Sequence, residues 1–146
     1  MNAKEGKTIA VDFDGTIVTN AYPGIGKPLL FAFDTLKKLQ NEGHQLILWT
    51  YRAGDRLQEA VDFCAQQGII FYAVNKSYPE EEYSEKVSRK IHADIFIDDR
   101  DITGMKGWGE IYHILSGERP SKQSLKKPKK EKKGIFSKLE DLFKED

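Results

Sequence analysis

Apolar positions along the first two thirds of the chain fall into short continuous runs that alternate with helical stripes. "TIAVDF" (8–13), "HQLILWT" (44–50), "IIFYAVN" (69–75) and "ADIFIDD" (93–99) are apolar, largely β-branched or aromatic, and of strand length. Between them, "PLLFAFDTLKKLQNEG" (28–43) places Leu29, Phe33, Leu36 and Leu39 at helical spacing and closes on Gly43. "DRLQEAVDFCAQQG" (55–68) repeats the pattern through Leu57, Val61 and Cys64 and closes on Gly68. The spacing predicts a short helix over "SEKVSRKIH" (84–92) and a last helix over "GWGEIYHILSG" (107–117).

Strands that alternate with helices imply an α/β fold, a Rossmann-like parallel sheet with helices on both faces. Such sheets bind ligands beyond the carboxyl ends of their strands. The sequence puts Asp12, Asp14, Thr50, Asp98 and Asp99 there. Trp49, Phe63, Cys64 and Phe96 read as core, and Trp108 as packing the last helix on the sheet.

The pattern stops after Gly117. Residues 1–117 form the expected folded domain, 118–133 a Lys/Pro-rich flexible linker with almost nothing to bury, and 134–146 a short amphipathic segment through Ile135, Phe136, Leu139, Leu142 and Phe143. That segment is a candidate for contact with a protein or a membrane surface, although Glu140, Asp141, Glu145 and Asp146 on its polar side disfavour anionic lipid.

Composition narrows the class. From residue 119 onward there are 10 basic and 5 acidic residues, so the remaining 13 basic and 18 acidic residues make the body acidic although the whole is neutral. An acidic body argues against a nucleic-acid partner. No apolar run approaches the ~20 residues of a membrane span, and the N-terminus lacks the apolar stretch of a signal peptide. A single cysteine, Cys64, forms no internal disulfide and suits a reducing compartment, so the expected location is cytoplasmic. The three histidines, His44, His92 and His113, have no ligand spacing, which disfavours zinc. A homo-oligomer is left open.

The carboxylates carry the chemistry. Asp12 and Asp14, two apart at a strand end, face the same way and repel, and Asp98 and Asp99 at the end of the fourth strand bring the carboxylates at that sheet edge to four. A hard divalent cation relieves that repulsion, and Mg²⁺ takes oxygen ligands while sharing its sphere with a substrate phosphate. A carboxylate in such a site can attack phosphorus, and a second can act as acid and then base.

"DFDGT" (12–16), "LILWT" ending at Thr50, a lysine before the fourth strand, and "FIDD" ending at Asp99 resemble the four ordered motifs of the haloacid dehalogenase superfamily over residues 8–115. The chain is similar to its small capless phosphatase-like members. The resemblance implies Asp12 as nucleophile, Asp14 as general acid/base, Thr50 as phosphoryl ligand, and an Mg²⁺ site from Asp12, Asp14 (through its backbone carbonyl), Asp98 and Asp99. It implies a phosphate-holding lysine as well, Lys90 or Lys86, with Lys90 nearer the strand. The activity implied is Mg²⁺-dependent hydrolysis of a phosphorylated substrate through an aspartyl-phosphate. A phosphotransferase of the same family and a non-catalytic phosphate-binding scaffold recruited through the tail are the alternatives.

Neither 17–49 nor 51–89 has room for a cap domain, so the expected site is open unless "TNAYPGIGKP" (19–28) covers it. Tyr51, Arg52, Arg56, Asn75, Lys76 and Arg100 are the candidate substrate contacts. Arg52, two residues past Thr50, is the first choice, because a guanidinium grips phosphate in bidentate fashion.

Overall fold

The computed structural model describes residues 6–117. The linker expected at 118–133 and the amphipathic segment at 134–146 lie outside them. Four strands, β1 (Thr8–Val11), β2 (Gln45–Leu48), β3 (Ala73–Val74) and β4 (Ile95–Ile97), form one sheet in the order β3-β2-β1-β4. All pairings are parallel, with Val11 opposite Leu48 on one side and Ile97 on the other. Helix α1 (Ala32–Asn41) joins β1 to β2, and α2 (Gly54–Gln66) joins β2 to β3. A third helix, α3, spans Trp108–Ser116. This is the expected Rossmann-like α/β architecture, and contacts divide the chain into two units between Glu110 and Ile111.

Continuous apolar strands become continuous burial. Ile9, Ala10 and Val11 point alternately to opposite faces, yet none is more than 1% exposed, so both faces of β1 are covered. On the Ala10 side, Ile47, Ala73 and Ile91 form a buried cluster against which Trp49, Tyr72 and Ala93 pack. Fully burying such side chains contributes about 1.5–3 kcal/mol apiece. Phe13, fully buried, meets Phe63 edge-on at 6.4 Å.

Phe96 departs from its expected core place. It lies on the edge strand β4 and is 42% exposed. The expected third strand shrinks to two ladder residues because β3 is the other edge and pairs with β2 alone.

The helix expected at 84–92 does not form. Ser84 Oγ accepts the N–H of Lys86 at 3.3 Å, and Ser88 Oγ that of Lys90 at 3.2 Å. These local side-chain bonds compete with helical ones. The apolar pair Val87 and Ile91 supplied the i,i+4 spacing, but both are β-branched and weak helix formers.

The chain steps from β1 to β2 to β3 in one direction and then crosses to β4 on the far side of β1. The topological switch point therefore lies between β1 and β4. Sheets of this kind place their ligands at that crevice.

Candidate metal centre and active site

Asp12 directly follows β1, and its N–H donates to Ile97 O at 3.0 Å, which ties it to the end of β4. Past Ile97 the chain delivers Asp98 and Asp99. One carboxylate oxygen from each of Asp12, Asp98 and Asp99 falls within 4.8 Å of the others, and all three residues are half-buried. Asp12 pays electrostatically for this company: its carboxyl is pushed up to about 7, first by burial, then by the hydrogen bond with Asp99 and the negative charge of Asp98. The Thr16 hydroxyl and the Phe13 N–H act the other way.

The turn after β1 builds this arrangement. The N–H groups of Thr16, Ile17 and Val18 all point to Phe13 O, at 3.1, 2.9 and 3.3 Å. That tight turn brings the fully buried Thr16 back beneath the acids. Its hydroxyl lies 2.9 Å from Asp12 Oδ2 and 3.3 Å from Asp99 Oδ1, and accepts the Asp99 N–H at 3.0 Å. Trp108 Nε1 donates to Thr16 O at 2.8 Å and braces the turn from below. Gly15 at φ +83° lets the backbone pass Asp99, since a Cβ there would collide with Asp99 Oδ2.

Asp14 belongs to a different arrangement. Arg52 donates from Nε to Asp14 Oδ2 at 2.8 Å and from Nη2 to Asp14 Oδ1 at 2.7 Å. Its other N–H groups reach Pro23 O, Gly24 O and Arg56 O, at 3.1, 2.6 and 3.3 Å. The guanidinium lies over the rings of Phe13 and Tyr22, 5.1 and 5.2 Å from their centroids. Asp14 holds it charged more firmly than a free arginine. Pro23 and Gly24 lie at the tip of an extended excursion in which Thr19 pairs with Lys27 and Leu29 with Ile17. Arg52 therefore fastens that excursion, Asp14 and the start of α2 to one another.

A cavity of about 810 Å³ opens above the acids. The end of β1 contributes Asp12 and Asp14, and the excursion Asn20 and Tyr22. Trp49, Thr50 and Tyr51 come from the end of β2, and Asp98 and Arg100 from the end of β4. Three strand ends and one overhang thus meet at the switch point.

Neither a family model nor a curated protein matches the sequence. The chain is similar to a solved structure, a conserved protein coded by a locus of Bacteroides thetaiotaomicron. The two are 51% identical, the match covers 79% of this chain and 93% of the other, and the TM-score is 0.74. The chain belongs to the family of that conserved protein.

In this family member the structure brings Asp12, Asp98 and Asp99 together, and sets Asp14 and Thr50 around the same cavity. Thr50 Oγ1 accepts the Arg52 N–H at 3.1 Å, and the Thr50 N–H donates to Asn75 Oδ1 at 2.8 Å. Lys86 and Lys90 are exposed, and among the described residues no lysine lines the cavity. Arg52 is 1% exposed with all five N–H donors engaged by the protein, so it has none left to grip a substrate phosphate. Asn75 spends its amide on Thr50 N–H and Arg52 O. Arg56 pairs with Glu59 at 3.2 Å, and Lys76 lines a separate cavity of about 440 Å³. Of the candidate contacts, Tyr51 and Arg100 line the cavity.

The sequence shows Thr16 only as the threonine that closes DFDGT, four residues past an acid, and gives no sign of its reach to Asp99. The Arg52–Asp14 pair was hidden in the same way, since the fold joins residues 38 apart in the chain.

Proposed function

We propose that this protein is a phosphohydrolase of the haloacid dehalogenase type, acting on phosphate monoesters with Asp12 as nucleophile and Mg²⁺ as cofactor. One observation carries the reading: three carboxylates converge at the switch point of a parallel sheet, and Asp12 is left with more negative charge around it than the chain neutralises.

The donor set fits a hard cation. It offers three carboxylate oxygens and no sulfur or imidazole, the chemistry Mg²⁺ takes while leaving positions for a substrate phosphate. Asp12, Asp98 and Asp99 would hold it. When bound, the ion neutralises the triad and withdraws charge from the phosphoryl oxygens.

The chain's own residues do the rest. An Asp12 carboxylate oxygen attacks phosphorus, and the bond to the leaving oxygen breaks with its electron pair. The leaving oxygen takes its proton from the monoester's own phosphoryl hydroxyl or from solvent. Asp14, ionised beside Arg52, then takes a proton from the water that attacks the aspartyl-phosphate and returns Asp12, and passes that proton to solvent. Arg52 holds Asp14 in place while each Asp14 oxygen keeps a second lone pair. The Thr50 hydroxyl hydrogen is available to a phosphoryl oxygen. Cytoplasmic residence belongs to the same proposal. It rests on the single cysteine, Cys64, which forms no internal disulfide and suits a reducing compartment.

The test is release of phosphate from an aryl phosphate by the full chain, with Mg²⁺ and with chelator, for wild type and Asp12→Asn. Metal-dependent release that the substitution removes supports the reading. No release across a broad monoester panel, with Mg²⁺ binding intact, transfers it to a non-catalytic phosphate-binding protein.

A further inference from the structure

The walls on the two sides of the acid triad are chemically unlike. Because β1 lies between β2 and β4, Tyr51 after β2 and Arg100 after β4 stand on opposite flanks of Asp12 and Asp14.

Tyr51 directly follows Thr50, is 93% exposed, and makes no hydrogen bond among the described residues. Its ring therefore adds no packing to the fold, yet it lines the cavity. Tyr22, 50% exposed, leans in from the overhang with one face on Arg52 and the rest of its ring open. The aromatic surface here lies open beside a charged floor. Flat ring faces of this kind take another ring in an offset stack or edge-on.

The opposite flank is cationic. Arg100 is exposed, its backbone N–H donates to Asp98 Oδ1 at 2.9 Å, and its guanidinium has no partner among the described residues. It is the cation among the described residues lining the cavity, since Arg52 is buried and engaged. A polyol would need several fixed donors and acceptors, and beyond the acids, Thr50 and Arg100 the walls offer Asn20, the Trp49 indole and two phenols, one of them 93% exposed.

We propose that this site selects phosphate monoesters whose leaving group carries an aromatic ring, with Tyr51 stacking on the ring and Arg100 meeting the phosphoryl oxygens. The turnover part rests on the phosphohydrolase reading. The recognition is a binding property and is testable without turnover.

Three esters separate the cases: phenyl phosphate, with the ring on the ester oxygen; a nucleoside 5′-monophosphate, with the ring beyond a sugar; and glycerol 3-phosphate, with none. kcat/KM is measured with Mg²⁺ for wild type, Tyr51→Ala and Arg100→Gln. Each ester is also titrated calorimetrically into full-length Asp12→Asn and into Asp12→Asn/Tyr51→Ala. One or both ring-bearing esters are preferred over glycerol 3-phosphate, and Tyr51→Ala cuts that preference about tenfold, the usual scale of one stacking contact. Arg100→Gln weakens all three esters alike. The ratio between phenyl and nucleoside esters then says how far the ring sits from the phosphorus. A wild type indifferent to the ring, or a preference that survives Tyr51→Ala, overturns the proposal. If no ester is hydrolysed, the phosphohydrolase reading fails, and the titrations decide the recognition separately. Ring-dependent affinity lost with Tyr51 upholds it, and ring-blind or absent binding overturns it.

Discussion

Arg52 and Asp14 form a bidentate ion pair, with Nε and Nη2 at 2.8 and 2.7 Å from the two carboxylate oxygens and the arginine 1% exposed. The two acids of the first motif are thus treated differently. Asp14 has its charge met inside the chain. Asp12 does not, and its proton affinity rises instead.

Arg52→Lys is expected to lower unfolding free energy by about 3 kcal/mol or more, because an ammonium cannot reproduce the fork and a buried pair is costly to break. The carbonyls of Pro23, Gly24 and Arg56 lose their donors at the same time. Urea denaturation of the two proteins measures this, and an unchanged midpoint would refute the clamp.

Thr16→Val keeps the shape and removes the hydroxyl, leaving the Asp99 N–H without its acceptor and Asp12 without a donor. A loss of about 1–3 kcal/mol is expected. Since the hydroxyl lowers the Asp12 value, its removal moves Asp12 further up, and Mg²⁺ affinity at neutral pH falls. Calorimetric Mg²⁺ titration checks the second effect apart from the first.

Gly15→Ala places a methyl against Asp99 Oδ2 on backbone at φ +83°. The left-handed conformation alone costs about 1–2 kcal/mol, and Asp99 must also move away from the triad. The thermal shift on adding Mg²⁺ should shrink sharply, even where the variant still folds cooperatively. A shift equal to wild type would show that Asp99 holds its place without the glycine.

The pH dependence has a definite sign. Burial and the neighbouring Asp99 and Asp98 push the Asp12 carboxyl from its ordinary 3.8 up to about 7 in the folded chain, so between those values the folded state binds the extra proton. Stability from this group is greatest below the lower value, declines as pH rises towards about 7, and is level beyond. Mg²⁺ must displace that proton, so its stabilising effect should be larger at about pH 8 than at about pH 5.5. Melting curves at both pH values, with and without Mg²⁺, test this, and equal increments would place the ion elsewhere.

Much of the fold is legible in the chain because its signals are local. Apolar runs such as "TIAV" and "LIL" have few places to go other than a sheet buried on both faces, and Gly43, at φ +93° just past α1, ends a helix in a conformation that other residues resist. The segment around Lys90 misled for a local reason too: Ser84 and Ser88 offer the backbone an alternative that periodicity does not register.

The sequence by itself determined the strand–helix rhythm, and through it that Asp12, Asp14, Thr50, Asp98 and Asp99 would gather at one sheet edge. That follows from side-chain periodicity and from strand ends carrying the acids. Only the tertiary structure decided how those groups are spent. It drew Arg52 inward to Asp14, left Lys86 and Lys90 outside the cavity, and slid Thr16 between Asp12 and Asp99. Hydrogen-bond partners for buried charge are chosen by distance in the folded chain, and pairs separated by 38 or 83 residues leave no periodic trace along it.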